Sequence, residues 1–149
     1  MTFTTRQLGP EDLPVFESVL SVFGEAFEEP ATYNDARPSR AWLLRLLASD
    51  HFIALAALSQ EEVVGGIAAY QLDKFERERS EIYIYDLAVA AARRRQGIAT
   101  AMIAELQRIA ALRGAWVIFV QADHGDDPAI KLYTKLGVRE DVLHFDIPV

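Results

Sequence analysis

Residues 93–99 place three arginines, Arg93, Arg94 and Arg95, ahead of Gln96, Gly97, Ile98 and Ala99. Beyond them Ile98, Met102, Ile103, Leu106, Ile109 and Ala110 recur at the spacing of an amphipathic helix. Cations at a helix N-terminus oppose the dipole unless an anion sits there. A pyrophosphate fits: the first N–H groups of the helix point outward, Gly97 and Ala99 allow close approach, and the guanidinium groups add charge-assisted contacts. The turn lacks the full glycine fingerprint of dinucleotide sites and the lysine of a triphosphate loop, which argues against NAD and ATP. With no cysteine in the chain, group transfer must use another nucleophile or pass directly to the acceptor. The three histidines, His51, His124 and His144, are too scattered for a metal site.

The elements that must position this turn follow from hydrophobic period and punctuation. Phe3–Leu8 reads as an opening strand, and a helix starts at Gly9-Pro10-Glu11-Asp12 and runs to about Glu28. A loop over Pro30–Pro38 precedes a short helix that Ser39 can cap, with Trp42, Leu43, Leu46 and Leu47 inward. Phe52–Leu58 and Val63–Leu72 form a hairpin in which Gly65-Gly66 marks a bulge or a close approach. Glu81–Val89 is a strand leading into the arginine turn and the long helix, which Gly114 ends. Ala115–Ala122 is a buried strand, Asp123–Asp127 an acidic loop in which Asp127 caps a helix from Pro128 to Leu136, and Val142–Ile147 a final strand. The strand–helix–strand spacing from Glu81 to Ala122 implies one parallel pair in a mixed sheet.

The chain of 149 residues, 51% hydrophobic, suits one globular domain over residues 1–149. Its apolar runs are too short to span a bilayer and no basic-then-apolar leader opens it, so a soluble, cytoplasmic protein is expected with no membrane partner. The net charge of −7 disfavours nucleic acid and suits a cationic partner.

Arg94-x-x-Gly97-x-Ala99 after a strand resembles the coenzyme A motif of the GNAT superfamily of N-acetyltransferases, Arg/Gln-x-x-Gly-x-Gly/Ala. Pro128–Gly137 resembles that family's Ala-Ile-x-Leu-Tyr-x-Lys-Leu-Gly segment, the helix beside the coenzyme. More narrowly, Glu81–Val89 and Val120–Pro128 are similar to the class I aminoglycoside 3-N-acetyltransferases. The likeness runs from Phe3 to Ile147. It implies an α/β GNAT fold: a central, mostly antiparallel sheet with one parallel pair, flanked by about four helices. It also implies acetyl-CoA as donor and direct transfer to an aminoglycoside, at the 3-amino group of 2-deoxystreptamine, conferring antibiotic resistance. Other acceptors on the same fold are a polyamine, a metabolite amine or a protein N-terminus, and a non-catalytic acyl-CoA sensor is a further alternative.

By the same resemblance, Leu87, Ala88 and Val89 offer main-chain contacts to the pantetheine arm, and Arg94, Arg95, Gln96, Gly97, Ile98, Ala99 and Thr100 hold the pyrophosphate. Ala129 lies beside the coenzyme, and Asp126 stands where many members carry a coenzyme-contacting asparagine. Tyr133 matches the tyrosine that protonates the departing thiolate, although its spacing alone also fits core packing. Several relatives carry their catalytic carboxylate where Tyr83 stands here. Glu81, two residues earlier on that face, and Asp123 are then equal candidates for the base, followed by His124. Glu81, Tyr83, Asp123, His124 and Asp126 are the expected acceptor contacts, and Glu28, Glu29 and Asp35 add charge if they reach the same cleft. By alternation Asp86 points to the opposite face from Glu81, Tyr83 and Tyr85 and reads as structural. The family usually ends in a two-strand hairpin where this chain has one strand, which implies an edge that is either short or completed by a partner subunit in a homodimer.

Overall fold

A computed structural model describes residues 2–149. Five strands form one sheet in the order β1 (Thr4–Gln7), β2 (Phe52–Ser59), β3 (Glu62–Asp73), β4 (Ser80–Val89) and β5 (Ala115–Val120). The first three pairings are antiparallel and β4–β5 is parallel. Four helices flank the sheet: α1 (Leu13–Ala26), α2 (Arg40–Ala48), α3 (Ile98–Leu112) and α4 (Asp127–Leu136). No helix among the described residues is long and apolar enough to cross a membrane.

β2 and the first half of β3 are apolar on both sides because each face carries its own helical layer, whereas β1 is polar and β5, expected as a buried strand, lies at the sheet edge with no fully buried residue. On one face Ile53, Leu55, Ile67, Ile82 and Ile84 pack with Ile98, Met102 and Leu106 of α3. On the other Phe52, Ala54, Ala56 and Ala88 pack with Phe16, Val19 and Phe23 of α1 and with Leu43 and Leu47 of α2. Ser39 caps α2, accepting from the Trp42 N–H at 3.2 Å. Trp42 itself is half exposed, with the Arg45 guanidinium 4.4 Å above its ring rather than in the core. The β2–β3 hairpin turns through Gln60 and Glu61, both at positive φ, and shifts register beside Gly65. Gly66 is required by contact: a Cβ there would lie 2.5 Å from Val19 Cγ1.

The starting helix divides into a 3-10 turn, Pro10–Asp12, and α1, and the loop after it contains one π-helical turn, Ala31–Asp35. Two further expectations fail. Asp126, not Asp127, caps α4, its carboxylate accepting from the Ala129 N–H at 3.4 Å. The final strand over Val142–Ile147 is not formed: this segment is exposed and pairs with no strand of the chain. A strand needs a partner for its N–H and C=O groups, and no neighbour within this chain supplies one.

Candidate active site

β4 and β5 run side by side only as far as Ile84 opposite Val120. Beyond that point β4 continues against β3, with Leu87 opposite Ile67 and Val89 opposite Gly65. Residues 85–89 therefore carry one row of main-chain N–H and C=O groups with no strand beside it. The split leads to the arginine turn. A 3-10 turn (Ala91–Arg93) precedes Arg95 at φ 62° and Gly97 at φ 80°. The first main-chain bond of α3 is Ala101 N–H to Gly97 O at 3.0 Å, so the N–H groups ahead of it point out of the helix. A Cβ at Gly97 would meet nothing within 4 Å; the glycine is present for its left-handed backbone and the open approach.

The arginines divide their tasks. Arg93 reaches back to Glu62 at 3.8 Å, leaving its buried Nη1 without a hydrogen-bond partner. Arg94 Nε donates to Val89 O at 3.5 Å, and both Arg94 and Arg95 are exposed. Outward N–H groups and the exposed guanidinium groups of Arg94 and Arg95 form a donor set suited to a pyrophosphate.

Where β4 leaves β5 a cleft of about 540 Å³ opens. It gathers several residues singled out from sequence: Tyr83, Leu87, Asp123, Asp126, Ala129 and Tyr133. Two are left out. Glu81 lies at the opposite end of β4, level with Val117 near the start of β5, and faces Lys74 at 3.7 Å; strand length separates it from the cleft. His124 is exposed on the acidic loop and does not line the cleft.

Asp86 does line it, against the alternation reading, and the reason is a β-bulge. Across β4–β3, Ile84 pairs with Ala69 and Asp86 with Ala68, leaving Tyr85 as an extra residue. Upstream of the bulge even-numbered residues face α3; downstream Ala88 faces α1 and Leu87 faces α3. One inserted residue thus turns Asp86 onto the face of Tyr83.

The cleft also brings in Glu29 and Tyr33 from the loop after α1. Glu28 and Asp35 are not among its lining residues. Tyr33 is seated between Phe23 and Phe27, at ring distances of 6.0 and 5.7 Å, and donates from Oη to Asp86 Oδ2 at 3.0 Å. Arg37 pins this turn, donating to Tyr33 O at 3.0 Å, Asn34 Oδ1 at 2.8 Å and Ser21 Oγ at 3.0 Å. Tyr83 stacks on Phe119 at 4.7 Å and donates to Gln121 Oε1 at 2.9 Å.

Burial raises the Asp86 carboxyl above the usual aspartate range and Glu29 adds to the rise, while the Tyr33 hydroxyl works against it. Burial likewise pushes the Tyr133 phenol up to about 12, with a contribution from Asp126. The pair is a carboxylate of strengthened basicity and a phenol that keeps its proton. Four carboxylates, Glu29, Asp86, Asp123 and Asp126, line the cleft and no lysine or arginine does. No local signal in the sequence marks the bulge that brings Asp86 in; the tyrosines on either side only conceal it.

Residues 16–138 match the Acetyltransferase (GNAT) family. The chain belongs to the GNAT acetyltransferase family. A crystal structure of the aminoglycoside acetyltransferase HMB0005, from an uncultured soil metagenomic sample, superposes on this acetyltransferase with a TM-score of 0.98 and 61% identity, over 100% of this chain and 99% of that one. The aminoglycoside acetyltransferase meta-AAC0020, also from an uncultured soil metagenomic sample and in complex with sisomicin, superposes at 0.92 with 32% identity, covering 99% and 96% of the two chains. Among curated proteins the chain is similar to the SPbeta prophage-derived uncharacterized N-acetyltransferase YokL of Bacillus subtilis (strain 168), 27% identical over 139 residues, 93% of this chain and 76% of that protein. As a GNAT acetyltransferase the chain has the mixed sheet and four flanking helices that its sequence implies.

Proposed function

We propose that this acetyltransferase moves the acetyl group of acetyl-CoA directly to an amine of an aminoglycoside, at the 3-amino group of the 2-deoxystreptamine ring, and so confers resistance. The observation that carries the reading is the cleft itself: four carboxylates and no cationic side chain, opening where β4 parts from β5. Ammonium groups are drawn to such a surface, and the exposed Tyr85 ring adds a face for a cation. The similarity to aminoglycoside acetyltransferases at 61% and 32% identity supports the same acceptor class.

Acetyl-CoA supplies an activated acetyl group. The open main-chain edge at Leu87–Val89 suits the pantetheine arm, and residues 94–100 at the start of α3 suit the pyrophosphate. Asp126 is already committed to capping α4, so its part is to fix Ala129 beside the coenzyme. Attack requires an uncharged amine. Asp86, with its raised pKa and fixed orientation, takes the ammonium proton in place of Glu81, and Asp123 at the cleft rim is the second carboxylate within the site. Tyr133 Oη, which holds its proton throughout the physiological range, gives it to the departing sulfur. Tyr83 at the base position of several relatives is the one support for a non-catalytic sensor, and Asp86 on the same face supplies the carboxylate that reading lacks.

The test is release of coenzyme A thiol with gentamicin, kanamycin, spermidine and a small peptide as separate acceptors, followed by NMR of the product. Acetylation of the 3-amino group of gentamicin is expected. Release with spermidine or peptide alone would keep the transferase and discard the aminoglycoside; binding of coenzyme without release would discard catalysis.

A further inference from the structure

Resting on the aminoglycoside reading, we infer that Tyr70 and Tyr85 form a sugar-stacking subsite beside the catalytic cleft, which holds one amino-sugar ring of the acceptor other than the 2-deoxystreptamine that is acetylated. The two rings belong to a chain of aromatic contacts that crosses the sheet. Between ring centroids, Phe52 and Tyr70 lie 5.3 Å apart, Tyr70 and Tyr85 5.9 Å, Tyr85 and Tyr83 5.8 Å, and Tyr83 and Phe119 4.7 Å. Tyr70 pairs with Tyr83 and Tyr83 with Phe119, so these side chains share one face of the sheet.

At one end the chain of rings is core: Phe52 is buried against Phe16 of α1. The helical layer stops there. Tyr70 and Leu72, next on that face, are 38% and 43% exposed, and Tyr85 is 63% exposed. Tyr85 is the extra residue of the β4 bulge, with no partner on β3, and its ring meets that of Tyr70 edge to face at 84°. Two rings at right angles make a corner, with one face beneath a ligand and a wall beside it. Tyr33 and Tyr83 commit their hydroxyls to Asp86 and Gln121, whereas those of Tyr70 and Tyr85 make no hydrogen bond among the described residues.

The occupant follows from the chemistry of the corner and from its place. A pyranose has a C–H face that packs on an aromatic ring and a rim of hydroxyl and amino groups that needs donors and acceptors. Exposed phenols meet both needs, where an aliphatic patch would meet one. An ammonium group on the sugar is attracted to the ring faces and to Asp86, the residue after Tyr85. The corner continues the cleft, because Tyr83 and Tyr85 line the cleft and Tyr70 adjoins them. Its far limit is the following row, where Glu81 opposite Leu72 holds Lys74 at 3.7 Å. Two residues of strand separate that row from Tyr70, about 7 Å, which is room for one sugar ring. A linear polyamine offers no face to such a corner.

The test compares kanamycin B, which carries two amino sugars on 2-deoxystreptamine, with neamine, which carries one, and with 2-deoxystreptamine alone, by steady-state coenzyme A release at saturating acetyl-CoA. In wild type KM should fall from the bare ring to kanamycin B. Tyr70→Ala should raise KM for kanamycin B by about fivefold or more with kcat unchanged, and leave KM for 2-deoxystreptamine within about twofold. Tyr70→Phe keeps the ring face and should stay closer to wild type than Tyr70→Ala, which separates stacking from a folding defect. Neamine then tells which sugar is held: it follows kanamycin B if that sugar is the one on O4, and 2-deoxystreptamine if it is the one on O6. A rise in KM shared by all three acceptors, a change in kcat alone, or no change overturns the subsite. If Tyr70→Ala instead changes the oligomeric mass and leaves the KM series intact, the corner belongs to a second copy and the subsite is overturned as well. Wild type that turns over none of the three refutes the aminoglycoside reading itself; wild type that turns over all three with equal KM refutes only the subsite.

Discussion

Replacing Asp86 by asparagine separates two roles that its position would permit. The amide keeps an oxygen that can accept from Tyr33 Oη, now at 3.0 Å, and removes the cost of a partly buried charge, so the variant should melt within a few degrees of wild type. If Asp86 only attracted the acceptor, as one of four cleft carboxylates, its loss would cost about 0.2–1 kcal/mol, at most roughly fivefold and all in KM. If it takes the ammonium proton, kcat/KM should fall by about 10²–10⁴, or roughly 2.7–5.4 kcal/mol at 1.36 kcal/mol per decade. Steady-state rates with gentamicin at saturating acetyl-CoA, with coenzyme affinity measured separately by calorimetry, decide between them. A loss below tenfold confined to KM refutes the base assignment. The pH profile gives an independent reading. Activity should fall as acid protonates Asp86, and because burial raises that group the limb should lie above the ordinary aspartate range. Tyr33→Phe removes the hydrogen bond that opposes the rise, so it should move the limb to still higher pH.

Tyr133→Phe should lower kcat by about 10² or more while coenzyme affinity is unchanged, and wild type should show no loss near pH 10, where an ordinary phenol ionises, because this one is pushed up to about 12. Gly97→Val should weaken coenzyme A binding at least tenfold by calorimetry; its left-handed backbone adds roughly 1–2 kcal/mol of destabilisation, visible as a lower Tm. Arg37→Ala cuts three bonds that hold the turn carrying Tyr33, and should raise KM for the amine several-fold while KM for acetyl-CoA stays constant.

The arginine turn, α3 and the helix bearing Tyr133 are legible in the sequence because each is local: a helix start, a period and a cap lie within a few residues of one another. Ser39 is legible for the same reason. Asp86 enters the cleft because strand parity is a running count, and the extra Tyr85, left between the pairs Ile84–Ala69 and Asp86–Ala68, resets it through a strand some seventeen residues away in sequence; Glu81 keeps the expected face but stands at the far end of β4. The cap of α4 moves by one residue from Asp127 to Asp126 because both are aspartates and only backbone geometry chooses. Val142–Ile147 has the composition of a strand, but composition specifies no partner, and within the single chain it has none.

The divergence of β4 from β5 assigns the two substrates to different kinds of atom. On the proposed reading the acetyl donor is read mainly by main-chain groups at residues 85–89 and 97–100, which most substitutions leave unchanged. The acceptor is read by side chains on two loops and a bulge: Glu29, Asp123 and Asp86. Mutation can therefore alter which amines are accepted without loosening the hold on coenzyme, and the range of drugs handled can drift among relatives while the donor stays fixed.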